Sequence, residues 1–165
     1  MKISENGINM LKNLEGSVIK GDKHVIYDDK TGKPVDVNKP LPRGATIGYG
    51  HLIKPGEIFA DGINEIQATE LLYNDIALAQ NAVQNNIIVP ITQNQYDALV
   101  AFAYNIGCNN FANSTVVKYI NKPGFQSKRY PTLETAWKAW NKSGGRIMKG
   151  LVNRRNYEWM LFNNV

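Results

Sequence analysis

The chain has 165 residues, 43% of them apolar, enough for one domain or for two small lobes around a shared core. No apolar run approaches the roughly 18 residues of a membrane span, the N-terminus lacks a signal peptide's apolar stretch, and a lone Cys108 excludes an internal disulfide. The net charge of +5 favours anionic partners: nucleic acid, anionic lipid, or an acidic polymer such as a bacterial wall. Apart from Arg154-Arg155 the basic residues are scattered, and they form no nucleic-acid-binding motif.

In chain order, Ser4 is placed to cap a helix over 4–14 carrying Ile8, Leu11 and Leu14, with Gly16 as its stop. Residues 17–62 read as short β runs at Val18-Ile19, His24-Val25-Ile26-Tyr27 and Ala45-Thr46-Ile47, separated by turn-forming residues and a Pro-rich loop. From 65 to 86 the period becomes helical through Ala68, Leu71, Leu72, Ile76, Ala79, Ala82 and Val83. This predicts one helix of about twenty residues, long enough at roughly 1.5 Å per residue to connect two lobes. Thr92 and Gln95 form a capping box before an almost wholly apolar helix over 96–106, which Gly107 ends. Further helices are expected near 114–121, 132–141 and 146–162. Trp137, Trp140 and Trp159 share helical spacing with Leu133, Ala136 and Phe162, so core packing is expected for them rather than ligand stacking. The fold class is therefore α+β. A β lobe over about 15–62 and a connecting helix over about 64–86 lead to a helical lobe over about 87–165, packed with helix 4–14. A cleft between such lobes is a common place for a ligand.

Candidate chemistry starts with carboxylates. Glu15 ends the first helix, where the partial negative charge of the helix terminus and contact with Leu14 favour the protonated form that a general acid needs. Asp29 lies in a polar turn, suited to remain ionised. One protonated and one ionised carboxyl is the division of labour in glycoside hydrolysis.

The order Glu15-Gly16, Tyr27-x-Asp29, Thr46-Ile47-Gly48-Tyr49-Gly50-His51 resembles the phage lysozymes and endolysins of glycoside hydrolase family 24, the T-even phage lysozyme type. Supporting similarity lies in Gln95-Tyr96-Asp97-Ala98-Leu99-Val100, in Phe102-Ala103-Tyr104-Asn105-Ile106-Gly107, and in Phe111-x-Asn113-Ser114-Thr115. It continues in Gly150-Leu151-Val152-Asn153-Arg154-Arg155-x-x-Glu158 and spans the chain from Ser4 to Phe162. The gaps from Glu15 to Asp29 and from Asp29 to Thr46 exceed the family's and read as loop insertions around 20–24 and 34–43, which cost little closure entropy. They leave Asp28 as a rival to Asp29 and Asp22 as a third candidate; Asp29 keeps the Tyr-x-Asp spacing.

The resemblance implies a lysozyme-like two-lobe fold and cleavage of the β-1,4 bond between N-acetylmuramic acid and N-acetylglucosamine in peptidoglycan. Glu15 would protonate the leaving oxygen, and Asp29 would activate a water that Thr46 holds from the other side. That geometry requires carboxyls roughly 6.5–9.5 Å apart and inverts the anomeric centre. Gly48 and Gly50 are expected to let the strand pass close beneath a sugar chain, with Tyr49 and His51 toward the packed side. Tyr49, Asn105, Asn113, Ser114 and Arg146 are the substrate-binding candidates, Arg146 through a pairing with Glu15; helix-end or capping roles are the alternatives for Asn105, Asn113 and Ser114. His51 has no ligand partner at metal spacing, so a structural histidine is expected, with Asp75 one possible carboxylate across the lobes. No metal or cofactor is expected, the partner is the peptidoglycan glycan strand, and neither nucleic-acid binding nor stable membrane insertion is expected. Monomer is the default. Synthesis in a bacterial host's cytoplasm without a signal peptide would require holin-type release to the wall. The competing readings are a lytic transglycosylase, which would dispense with Asp29, and a non-catalytic wall- or nucleic-acid-binding protein, which would dispense with Glu15.

Overall fold

The computed structural model describes residues 1–164. Helix α1, Glu5–Glu15, starts where expected. The Ser4 hydroxyl accepts from the Gly7 N–H at 3.1 Å, and the Ser4 carbonyl accepts from Ile8 at 3.0 Å. Gly16, at φ +65, stops the helix by donating its N–H to the Lys12 carbonyl. Packing divides the chain into two compact units: Met10–Ile76 in one, and Met1–Asn9 with the chain from Ala77 onward in the other.

The first unit is built on short strands. β1 (Ile19–Lys20) and β2 (Lys23–His24) form a hairpin. β3 (Tyr27–Asp28), β4 (Lys33–Pro34), β5 (Ala45–Ile47) and β6 (His51–Leu52) form an antiparallel sheet in the order β4-β3-β5-β6. The run from His24 to Tyr27, expected as one strand, is divided. His24 pairs with β1 and bridges Ile63, while Ile26 enters a core with Ala45, Ile47, Ile63 and Ala68. Helix α2, Glu65–Asp75, closes that core behind an Asn64–Gln67 capping box.

The expected twenty-residue connecting helix is two helices, α2 and α3 (Ala77–Asn86). Ile76 interrupts them at ψ −5, its N–H shared between the Leu72 and Asn74 carbonyls. Because the apolar period continues through the interruption, the sequence pattern alone does not mark it.

The second unit surrounds α4, Gln93–Ile106, which begins at the Thr92–Gln95 capping box and is buried without a break from Tyr96 to Ala103. Asp97 lies within that stretch, fully buried, and accepts from the Ser4 N–H, the Ser4 hydroxyl and Gln93. Around it come α5 (Cys108–Asn113), α6 (Thr115–Asn121) and α7 (Leu133–Lys138). A hairpin, β7 (Lys142–Ser143) with β8 (Arg146–Ile147), precedes α8 (Lys149–Asn163). The final helix therefore starts later than expected, and Arg146 lies on a strand. Gly144 and Gly145, both at positive φ, make the tight turn between β7 and β8. Trp137 is fully buried, its ring centroid 4.6 Å from Phe102 and 5.1 Å from Phe162, as the helical spacing predicted.

Candidate functional site

Glu15, Asp29 and Thr46 all belong to the first unit. Glu15 is half-buried as the last residue of α1. Asp29 leaves the end of β3 exposed, and Thr46 is buried in β5 opposite Tyr27. One backbone oxygen joins the latter two: the Gly44 carbonyl accepts from the Asp29 N–H at 3.3 Å and from the Thr46 hydroxyl at 2.9 Å. With its proton directed at Gly44, the Thr46 hydroxyl keeps lone pairs available to a further donor, such as a water.

Asp28 is engaged elsewhere. Its carboxylate accepts from the Lys30 N–H at 2.8 Å, and its carbonyl accepts from Thr31 and Gly32. It builds the turn that carries Asp29 outward. Asp22 lies exposed in the β1–β2 turn.

The two glycines of the motif lie in a turn rather than within a strand, with close neighbours in the protein itself. Gly48, Tyr49 and Gly50 form the turn between β5 and β6, with Gly48 at φ +60 and Gly50 at φ +85. A Cβ on Gly48 would lie 3.3 Å from the Ala68 Cβ, so this position allows α2 to approach. A Cβ on Gly50 would lie 3.5 Å from Oε2 of Glu15. The close neighbours are therefore a helix and a carboxylate of this same unit. Tyr27, used at first only as a spacing marker, sits among the same groups. Burial pushes its phenol up, and the charges of Asp29 and Glu15 both add to that, against a hydrogen bond from Gly50.

Tyr49 faces the packed side. Its ring packs on the core, and its hydroxyl lies 2.9 Å from both carboxylate oxygens of Glu65. Burial, reinforced by Glu65, pushes the phenol up to about 12. Its one polar group thus already has a partner in the protein. His51 is a structural histidine between two carboxylates: Nδ1 lies 2.9 Å from Asp75 and Nε2 lies 3.0 Å from Glu57. Asp75 belongs to the same unit rather than lying across the lobes. The Lys54 N–H, followed by His51, pulls the Glu57 carboxyl down.

The remaining candidates lie in the second unit. Asn105 is exposed near the end of α4, its Oδ1 accepting from Arg155 at 2.7 Å. Arg155 in turn binds the fully buried Glu158 at 2.7 Å, and Glu158 also accepts from Arg154 and from Trp137. Burial pushes the Glu158 carboxyl up and the two guanidiniums oppose it. Asn105 is thus held by its oxygen, which turns its amide nitrogen away from Arg155. Asn113 donates to the Asn109 carbonyl, and Ser114 caps α6 through Val117. With Thr115, Arg129, Tyr130 and Trp140 they line a cavity of about 370 Å³. Arg146 is exposed on β8. Among the described residues, no group of three or more His, Cys, Asp or Glu side chains could hold a metal ion.

The phage lysozyme family matches residues 21–158, and the chain belongs to it. The chain is 36% identical to the endolysin of Salmonella phage P22, over 98% of each. It is also 36% identical to the endolysin of Bacillus phage PZA over 99% of its own length, but spans only about half, 56%, of that relative. Among solved structures, the muramidase domain of SpmX from Asticaccaulis excentricus superposes with a TM-score of 0.74 at 29% identity, covering 99% of both chains. The fold is accordingly the lysozyme-like α+β fold.

Proposed function

We propose that the chain is an N-acetylmuramidase of the endolysin type, hydrolysing the β-1,4 bond between N-acetylmuramic acid and N-acetylglucosamine of bacterial peptidoglycan and so lysing the cell. The observation that carries the reading is the Gly44 carbonyl shared by Asp29 and Thr46 in the unit that also holds Glu15. Glu15 protonates the departing glycosidic oxygen. Asp29 takes a proton from a water that donates to it, while the Thr46 lone pairs hold that water's other hydrogen. Attack from the face opposite the leaving group inverts the anomeric carbon. No cofactor takes part.

Asn105, Asn113 and Ser114 contact the glycan in this reading. The relatives named endolysins support the substrate class. The protein works as a monomer on the cell wall and is released by a holin-type route. Mass spectrometry of purified peptidoglycan after digestion tests the reading. Reducing-end muramic acid from wild type and none from Glu15→Gln is the expected result. An anhydro end, or digestion that survives Asp29→Ala, indicates a transglycosylase instead. No release at all by the wild type indicates a binder.

A further inference from the structure

Glu65, the first residue of α2, is the meeting point of three other elements of its unit. Lys12 of α1 donates to Oε1 at 2.7 Å, His24 of β2 lies 2.8 Å from Oε2, and the Tyr49 hydroxyl of the β5–β6 turn lies 2.9 Å from each oxygen. These partners also touch one another. The Lys12 ammonium lies 5.3 Å from the Tyr49 ring centroid, and the buried His24 ring meets Tyr49 edge-on at 5.1 Å. A carboxylate with that many donors, standing on the surface with 54% of its side chain exposed, does more than an isolated surface ion pair needs.

Two routes lead from Glu65 to Glu15. Through Lys12 it fixes the last turn of α1, in which Glu15 follows Lys12 at the i+3 position on the same helix face. Through Tyr49 it fixes the turn whose next residue, Gly50, faces Glu15, close enough that a Cβ at that position would lie 3.5 Å from the Glu15 Oε2. Gly50 has no side chain to hold it in place, so the anchored hydroxyl of its neighbour restrains that wall.

We propose that Glu65 is a positioning residue for Glu15, fixing through Lys12 and Tyr49 both the helix end that carries the carboxyl and the glycine wall it lies against. The proposal rests on the muramidase reading of Glu15. Glu65 acts through other residues and is not a catalytic residue. Its partner Lys12 also bears on the charge around Glu15: a cation paired with Glu65 is partly neutralised, whereas an unpaired one a turn away favours the ionised acid.

The test is steady-state kinetics on soluble peptidoglycan glycan fragments for wild type, Glu65→Gln, Glu65→Ala and Tyr49→Phe, with melting temperature measured alongside and assays run well below it. The expected result is a kcat about tenfold lower in Glu65→Ala with KM within about twofold, since small misplacements of reacting groups cost rate rather than binding. Glu65→Gln, which keeps an acceptor for Tyr49, recovers part of the loss, and Tyr49→Phe reproduces part of it. The alkaline limb of the kcat profile moves to lower pH in Glu65→Ala, because Lys12 loses its counterion. A lower melting temperature with unchanged kcat and unchanged pH profile overturns the proposal. If wild type releases no reducing ends, the muramidase reading fails by itself. The Gly50 and Glu15 amide resonances of Glu65→Ala then decide: shifts well beyond those of distant residues support the restraint, and unmoved resonances overturn it.

Discussion

Asp29 and Thr46 hydrogen-bond to the same oxygen, the carbonyl of Gly44, one through its backbone and the other through its side chain. The link fixes the end of β3 against the start of β5. It also orients the threonine proton away from the space beyond the strand, so that the hydroxyl meets that space as an acceptor.

Substitutions here should separate neighbours that the sequence leaves ambiguous. Asp29→Ala is expected to lower peptidoglycan hydrolysis by about a thousandfold, within the range for loss of a general base. Asp28→Asn, which keeps an acceptor for the Lys30 N–H, should stay within about threefold of wild type. Thr46→Val keeps the shape and removes the hydroxyl, for a loss of about a hundredfold. Release of reducing ends from purified walls measures all three, and equal losses for Asp28→Asn and Asp29→Ala would reverse the assignment.

The glycine turn predicts a split between stability and activity. Alanine at either position meets a backbone that L-residues disfavour by about 1–2 kcal/mol. Gly48→Ala should cost more than that, since its methyl also crowds Ala68 at 3.3 Å. Gly50→Ala should cost less stability but more activity, because its methyl abuts Oε2 of Glu15. Urea unfolding and wall hydrolysis, measured on both variants, check the ordering.

Acid stability should report the Glu65 cluster. Burial alone would raise this carboxyl, but hydrogen bonds from Lys12, His24 and Tyr49 bring it from the usual 4.5 to about 2. A carboxyl depressed in the folded state contributes stability that is fully present above its unfolded value and is lost as pH falls through the folded one. The stability difference between wild type and Glu65→Gln should therefore be flat above about pH 5 and shrink between 4.5 and 2. Because the side chain is more than half exposed, solvent screening limits the plateau to about 1 kcal/mol. Urea titrations at a series of pH values give the curve.

The Glu158 cluster lies in the packed interior and should behave differently. Glu158→Ala leaves Arg155 and Arg154 without their buried anion and the Trp137 N–H without an acceptor, for a loss of about 3–5 kcal/mol. The same change releases Arg155, and with it the grip on Asn105. Chemical denaturation measures the first effect. A rise in KM at temperatures where the variant remains folded measures the second.

Much of this architecture was legible because it is local. Ser4, Thr92 with Gln95, and Gly107 act within one helical turn, and the unbroken apolar face of α4 leaves only an interior for it. Other elements were missed for equally physical reasons. Ile76 breaks a helix whose apolar period does not change, with no proline or glycine to signal it. Gly144-Gly145 could have been recognised, since two glycines between short polar runs suit a two-residue hairpin turn. Tyr49 could not, because its engagement depends on Glu65 from α2.

The sequence by itself determined the α+β class, the capped helices and the ordered string of Glu15, Asp29, Thr46 and the glycine pair, because these depend on residue type and short-range spacing. Only the tertiary structure decided which aspartate is spent on a turn, that Gly50 meets Glu15 and Gly48 meets Ala68, and that Glu65 gathers Lys12, His24 and Tyr49. Those are contacts between segments distant along the chain. Their partners are fixed by how strands and helices pack, and no local pattern encodes them.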